Sequence, residues 1–327
     1  MLNCTTRVEE WEMREPFEIS RSVITHMPVL HVELADARGN KGVAEAAGVD
    51  YDGETPESMA RQIEAVRSEL EDDLGGEDLL RLLPAGGARN ALDCALWDLR
   101  AKQTGRPAWR AAGLPGLRPV LTAYTLGLAD EATTRRKAGE ARRYPLLKLK
   151  VDAARHLEVV RIVRQEHPRA RVIVDANEGW DLDLLGSLLP ELHALGVELI
   201  EQPLPRGQDD RLDDMPAVVP LAADESCTDR RSLGRLAGRY QYVNIKLDKC
   251  GGLTEALAMA REARALGLRL MVGNMCGTSL AMAPAFLLAQ QCEYVDLDGP
   301  LLQVLDREPP MAVRDGWMEP PDPRLWG

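Results

Sequence analysis

Apolar positions along this chain follow two different periods. Between residues 146 and 248 they form five short runs, 146–151, 172–177, 198–203, 221–226 and 242–248, and each run ends in charged residues. Side chains alternate faces on a strand, so Lys148 and Lys150 point the same way. The acids Asp175, Glu201 and Asp224 and the lysine Lys246 then recur at intervals of one strand plus one helix. Helical spacing fills the gaps, and 253–266 is an amphipathic helix after Gly251-Gly252. A parallel β/α repeat with charge at the C-terminal end of each strand predicts an α/β fold of the (β/α) barrel type, whose interior is packed and whose chemistry sits on that rim. Residues 120–125 are the expected first barrel strand, 269–273 the seventh and 294–296 the eighth.

Ahead of the barrel the pattern changes. Residues 1–47 read as strands, with 29–34 leading into a hairpin turn at 37–42, and 48–54 as a polar loop. Helices are expected over 56–74, opened by Thr55 as cap with Pro56 in the first helical position, and over 87–102. Strands followed by helices make a separate α+β layer. The expected organisation is an α+β domain over 1–117, the barrel over 118–308 and a proline-rich tail over 309–327.

A length of 327 residues suits that arrangement, and 45% hydrophobic with 28% charged residues is an ordinary globular composition. The net charge of −12 argues against nucleic acid or an anionic membrane as partner, so an anionic substrate has to be attracted by local groups. Six scattered cysteines without a Cys-x-x-Cys pair read as free thiols in a reducing cytoplasm. The first twenty residues lack the apolar run of a signal peptide, and no apolar stretch reaches the length of a membrane span.

Taken singly, Lys-x-Lys on a strand is a solvated edge, and an acid at a strand end caps the next helix. Three acids on consecutive strand ends, flanked in sequence by two lysine-bearing strands, form a different pattern. Oxygen-only ligands at Asp175, Glu201 and Asp224 favour a hard divalent cation, with Mg²⁺ the default.

The set Lys148-x-Lys150, Asp175-x-Asn177, Glu201-Gln202-Pro203, Asp224-Glu225-Ser226 and Asn244-Ile245-Lys246-Leu247-Asp248-Lys249-Cys250-Gly251-Gly252 resembles the muconate-lactonising subgroup of the enolase superfamily, over nearly the whole chain. Within it, Asp296-Leu297-Asp298-Gly299-Pro300 is similar to the Asp-x-Asp of dipeptide epimerases, those acting on L-Ala-D/L-Glu in particular. The resemblance implies an enolase-type modified TIM barrel under an N-terminal α+β capping domain, with the tail packed back on that domain. It also implies an isomerase. The reaction would be a 1,1-proton transfer at the α-carbon of a dipeptide's C-terminal residue, on cytoplasmic dipeptides derived from peptidoglycan. One Mg²⁺ per subunit would be held by Asp175, Glu201 and Asp224, with Lys150 and Lys246 as bases on opposite faces of the α-carbon. A lysine base working near neutrality needs a lowered pKa, which the metal and Lys148 are expected to provide.

By the same resemblance Lys148 binds the substrate carboxylate, and Asp296 and Asp298 hold the ammonium. Arg21 pairs with a glutamate side chain, with Val23, Ile24 and Met27 as an apolar wall beside it. Thr125, Asn177, Met275 and Thr278 are candidates for the mouth. Asn177, Glu225 and Asp248, with Lys249, support the reacting groups from behind. The expected partners are a small dipeptide and further copies of the chain, with neither nucleic acid nor membrane.

Other reactions of the subgroup, N-acylamino-acid racemisation, o-succinylbenzoate synthesis and muconate cycloisomerisation, keep the metal and lysines but have no use for an ammonium site. A metal-dependent hydrolase would show histidine ligands, and all five histidines lie outside the motifs. A non-catalytic metal-binding barrel leaves two lysines beside a cation without a use.

Overall fold

The computed structural model describes residues 1–18, 23–152, 154–213, 215 and 218–327. The chain opens with three antiparallel strands, β1 (Asn3–Glu18), β2 (Val23–Ala35) and β3 (Lys41–Ala46), in that spatial order. The β1–β2 register shifts between Glu12 and Phe17. Such a bulge bends the paired arms. Three helices follow, α1 (Pro56–Ala65), α2 (Gly76–Leu82) and α3 (Gly87–Thr104), and α3 packs on the sheet. That packing needs Gly42 on β3, because a Cβ there would lie 2.2 Å from Ala95 O and 2.4 Å from Leu99 N.

Thr55 caps α1 as expected, accepting from Ser58 N while the Ser58 side chain accepts from Thr55 N, with Pro56 first in the helix. The helix is shorter than the expected 56–74. It ends at Ala65, and after a 3₁₀ turn at Arg67–Glu69 the chain turns so that Leu70 is buried and its carbonyl accepts from Leu2 N.

Eight parallel strands then form one curled sheet in sequence order: β4 (Tyr124–Leu126), β5 (Leu146–Lys150), β6 (Arg171–Asp175), β7 (Val197–Glu201), β8 (Leu221–Ala223), β9 (Tyr242–Ile245), β10 (Arg269–Val272) and β11 (Tyr294–Val295). A parallel bridge between Thr122 and Val295, and a 2.7 Å bond from Ala123 N to Val295 O, join the last strand to the first. Helices α4 (Glu131–Glu140), α5 (His156–Glu166), α6 (Leu182–Ala194), α7 (Arg230–Leu236), α8 (Leu253–Ala265) and α9 (Ser279–Ala289) follow individual strands. This is the enolase-type barrel with its N-terminal α+β domain.

The expected first strand is divided. Val120–Leu121 pairs antiparallel with Trp317–Met318 in a small sheet with Val313–Arg314, and only Tyr124–Leu126 enters the barrel. The chain end lies against α3, where Trp326 Nε1 donates to Cys94 O at 3.0 Å and Gly327 N to Asp98 Oδ1 at 2.8 Å.

Inside the barrel a buried plug is built from Ala123, just ahead of β4, and one residue of each later strand: Leu146, Ile173, Leu199, Ala222, Tyr242, Met271 and Tyr294. Side chains two positions on face the same way. Those residues are Thr125, Lys148, Asp175, Glu201, Asp224, Asn244, Gly273 and Asp296, and all but the glycine are buried polar groups. Lys150, Asn177, Lys246, Met275 and Asp298 come two further toward the rim. An apolar floor thus carries a polar layer, and that layer is the base of the site.

Candidate active site

The polar layer is held together by charge. Lys148 Nζ lies 3.0 Å from Asp175 Oδ2, 2.9 Å from Glu201 Oε2 and 2.9 Å from Asp296 Oδ2. Lys150 Nζ donates to Asp175 Oδ2 at 2.7 Å and to Asn177 Oδ1 at 2.9 Å. Across the row, Lys246 Nζ donates to Asp224 Oδ2 at 2.7 Å, and Lys249 Nζ to Asp224 Oδ1 at 2.5 Å and to the Asp224 carbonyl. Glu201 Oε1 also accepts from Asn244 Nδ2 at 2.9 Å. The acidic row therefore has a lysine at each end, as the residue pattern implied.

Burial and charge compete in this layer. Burial opposes ionisation of Asp175 and Asp224, but the neighbouring lysines outweigh it and hold both carboxyls below their ordinary range. Burial and the adjacent Asp175 charge push Glu201 the other way, above the ordinary range. For Lys246 burial favours the neutral amine, yet Asp224 holds the ammonium above its ordinary value. The lowering expected from the sequence is that of a metal-loaded site. The expectation counted a cation beside the base, whereas among protein atoms the base faces an anion.

The donor set fits a hard divalent ion. Asp175, Glu201 and Asp224 are each at most 1% exposed and offer only oxygen, and Glu201 Oε2 has no hydrogen-bond partner although Lys148 Nζ is close. Among the described residues no three acidic, histidine or cysteine side chains stand at closed ligand spacing. The Lys148 ammonium stands between Asp175 and Glu201, within 3.0 Å of each.

Several candidates fall where the sequence put them in chain order but in different surroundings. Lys246 is one residue beyond β9 and caps a short helical turn, Leu247–Cys250, where a continuing strand was expected. Gly251 and Gly252, with φ of +78° and +115°, end that turn. Asp296 and Asp298 lie just past the end of β11. Both still meet Thr125, whose N donates to Asp298 Oδ2 at 2.7 Å and whose Oγ1 is 3.5 Å from Asp296 Oδ1. Burial and then the Asp296 charge push the Asp298 carboxyl up to about 7. Glu225 Oε1 accepts from Asn177 Nδ2 at 3.2 Å, and Asp248 Oδ1 from Gly48 N at 2.9 Å.

Thr278 is not at the mouth. It caps α9, and its N donates to the buried Glu45 at 2.6 Å. Arg21 lies outside the described residues.

A cavity of about 90 Å³ opens on this layer between the two domains. Lys150, Asn177, Asp224 and Lys246 form its base, and Phe17, Ile24, Met27 and Tyr51 of the N-terminal domain and Met275 of the barrel form an apolar wall. Phe17 and Tyr51 were not singled out from the sequence. For Tyr51 a signal existed, since an aromatic residue in a polar loop between Gly48 and Gly53 is out of character.

Residues 1–113 match the N-terminal domain of the mandelate racemase / muconate lactonizing enzymes, and residues 127–324 match the enolase C-terminal domain-like family. The chain belongs to the mandelate racemase / muconate lactonizing enzyme family. It is 42% identical to the L-Ala-D/L-Glu epimerase of Escherichia coli, over 94% of this chain and 96% of that one. It is 45% identical to an N-acetyl-D-glutamate racemase of a Pseudoalteromonas species, over 76% of this chain and 79% of that one. Epimerases and racemases are isomerases, and so is this family member.

Among solved structures, an enolase family member from Agrobacterium tumefaciens with homology to dipeptide epimerases, bound to sodium and L-Ala-L-Glu, superposes with a TM-score of 0.96 at 42% identity and full coverage of both chains. A dipeptide epimerase from Methylococcus capsulatus, complexed with Mg and L-Arg-D-Lys, superposes with a TM-score of 0.87 at 30% identity, covering 98% of this chain and 97% of that one. A divalent metal accords with the Mg-bound relative and with the acidic row. Among the described residues no helix is long and apolar enough to cross a membrane.

Proposed function

We propose that this chain epimerises dipeptides at the α-carbon of the C-terminal residue, with L-Ala-D/L-Glu from peptidoglycan turnover in the cytoplasm as substrate and one Mg²⁺ per subunit. The observation that carries the reading is a lysine at each end of the acidic row, Lys150 2.7 Å from Asp175 and Lys246 2.7 Å from Asp224. Inversion needs a proton removed from one face and another delivered to the opposite face. Two amines flanking one site meet that requirement.

Asp175, Glu201 and Asp224 would hold the divalent ion, which would supply Lewis-acid stabilisation to the substrate carboxylate as charge spreads into it from the α-carbon. The other steps belong to side chains. Lys150 or Lys246 accepts the α-proton as a neutral amine, and the opposite lysine returns one as an ammonium. Lys148 adds positive charge beneath the carboxylate. Asp296 and Asp298, buried together beside Thr125, supply a site for the N-terminal ammonium. Asn177, Glu225 and Asp248 hold the reacting groups in place. Arg21 is proposed to select a glutamate side chain, on the resemblance alone.

The similarity to an N-acetyl-D-glutamate racemase favours a second reading, N-acylamino-acid racemisation, which has no ammonium to bind. Steady-state kcat/KM for L-Ala-L-Glu and N-acetyl-L-Ala-L-Glu separates the two. The acetylated compound loses a charge-assisted interaction, so it is expected to react about ten- to a hundredfold more slowly. Asp298→Asn should erase most of that difference. A preference for the acetylated compound would install the racemase reading instead.

A further inference from the structure

The turn that carries Lys246 is gripped from outside the barrel by helix α3. Within Leu247–Cys250, Lys246 O accepts from Lys249 N and Cys250 N at 3.1 Å each, and Leu247 O from Gly251 N at 2.8 Å and Gly252 N at 3.0 Å. Lys246 and Lys249 point from this rigid turn to Asp224. Its other side faces the N-terminal domain. Arg89 of α3 donates from Nη2 to Cys250 O at 2.6 Å and from Nε to Gly251 O at 3.1 Å, with Nη1 on Leu83 O at 3.1 Å. One helical turn further along α3, Asp93 accepts from Thr254 N at 2.8 Å and Thr254 Oγ1 at 2.6 Å. Asp248 accepts from Gly48 N at 2.9 Å.

Arg89 is only 6% exposed, and its hydrogen bonds go to main-chain carbonyls. Burying a guanidinium on carbonyls alone is costly. Here the cost falls on two consecutive carbonyls of one turn. The two glycines are part of the same device, because a Cβ on Gly251 would lie 2.4 Å from Arg89 Nε and one on Gly252 2.5 Å from Asp93 Oδ2. Side chains are absent there so that α3 can approach.

We propose that Arg89, seconded by Asp93 and Asp248, is a positioning residue for Lys246. It couples the reach of that base to the seat of the domain that brings Phe17, Ile24, Met27 and Tyr51 to the cavity. Lys150 is held differently, by Asp175 and Asn177 of the barrel itself. Loosening the grip therefore harms proton transfer on one face of the substrate and spares the other. The inference rests on the two-base reading above.

The test is α-proton exchange of L-Ala-L-Glu and L-Ala-D-Glu in D₂O with the Mg²⁺-loaded protein, using Lys246→Ala to identify the diastereomer that depends on that lysine. In Arg89→Gln, exchange of that diastereomer should fall on the order of ten- to a hundredfold, the effect of displacing a reacting group by about 1 Å. Its KM and the exchange of the other diastereomer should stay within about threefold of wild type. Equal losses on both faces, or none on either, overturn the proposal.

Should Arg89→Gln not fold, Asp248→Asn carries the same test with a smaller asymmetry expected. Backbone amide exchange supplies a readout without substrate. Protection should drop over residues 246–252 in Arg89→Gln while β5 and β6 are unchanged, and unaltered protection at 246–252 refutes the grip. If wild type exchanges neither dipeptide, the proposed function falls and the amide measurement alone judges the role of Arg89.

Discussion

The two lysine stations of this barrel reach the same acidic row by different routes. Lys148 and Lys150 stand on one face of a regular strand, with Lys150 in register with Asp175 on the next strand. Lys246 and Lys249 are three residues apart and converge on Asp224 from a helical turn after β9. A strand in mid-sheet is positioned by both of its neighbours. The turn beyond the strand end is bound from the N-terminal domain, by Arg89 of α3 on Cys250 O and by Gly48 N on Asp248, with Asp93 of α3 on Thr254 just after it. The two lysine ends of the row thus have unequal structural support.

Removing either amine is the strongest way to break the comparison. Lys150→Ala and Lys246→Ala should each lower epimerisation by on the order of a thousandfold or more, the usual weight of a general acid or base. Each should retain α-proton exchange from one diastereomer only, a different one in each variant. NMR of both dipeptides in D₂O reads this directly, and wild-type epimerisation in either variant removes the two-base assignment.

Asp224 is the partner of both lysines at the turn station, so Asp224→Asn should lower Mg²⁺ affinity by at least about a hundredfold, more than the loss of a supporting contact behind a ligand. Chelation should silence the wild type and added Mg²⁺ restore it. Full turnover in protein shown metal-free by elemental analysis would falsify the metal reading.

An effect on stability, not on activity, sharpens the difference in support. Burial raises the Asp93 carboxyl from 3.8 to about 6, against the hydrogen bonds from Thr254. Between those values the folded protein keeps a proton that the unfolded chain has lost, so the Asp93 contribution to stability falls as pH rises through this window and is constant above it. The shift corresponds to about 3 kcal/mol. The stability of wild type minus that of Asp93→Asn, from urea unfolding, should fall by about that much between pH 4 and 7. A difference independent of pH would mean that the carboxylate is ionised in the fold throughout.

Much of the site was legible in the sequence because barrel strands are short, parallel and regularly spaced. Alternation alone sets Lys148 two residues above the buried Leu146, and Asp175, Glu201 and Asp224 two above Ile173, Leu199 and Ala222. Local patterns also located the cap at Thr55 and the hairpin between β2 and β3. Where regular secondary structure stops, pattern loses its hold. Thr278 has the composition of a mouth residue, but its backbone is claimed by Glu45 from the other domain.

The sequence by itself determined the order of chemical groups around the rim, since in a closed parallel sheet neighbours in the chain's β/α period become neighbours in space. Tertiary structure alone decided that Lys246 meets Asp224, a contact made through the fold and not through the chain. It also decided that Arg89 reaches the turn bearing Lys246. A contact spanning 161 residues has no period to reveal it, and depends on how two separately patterned domains pack.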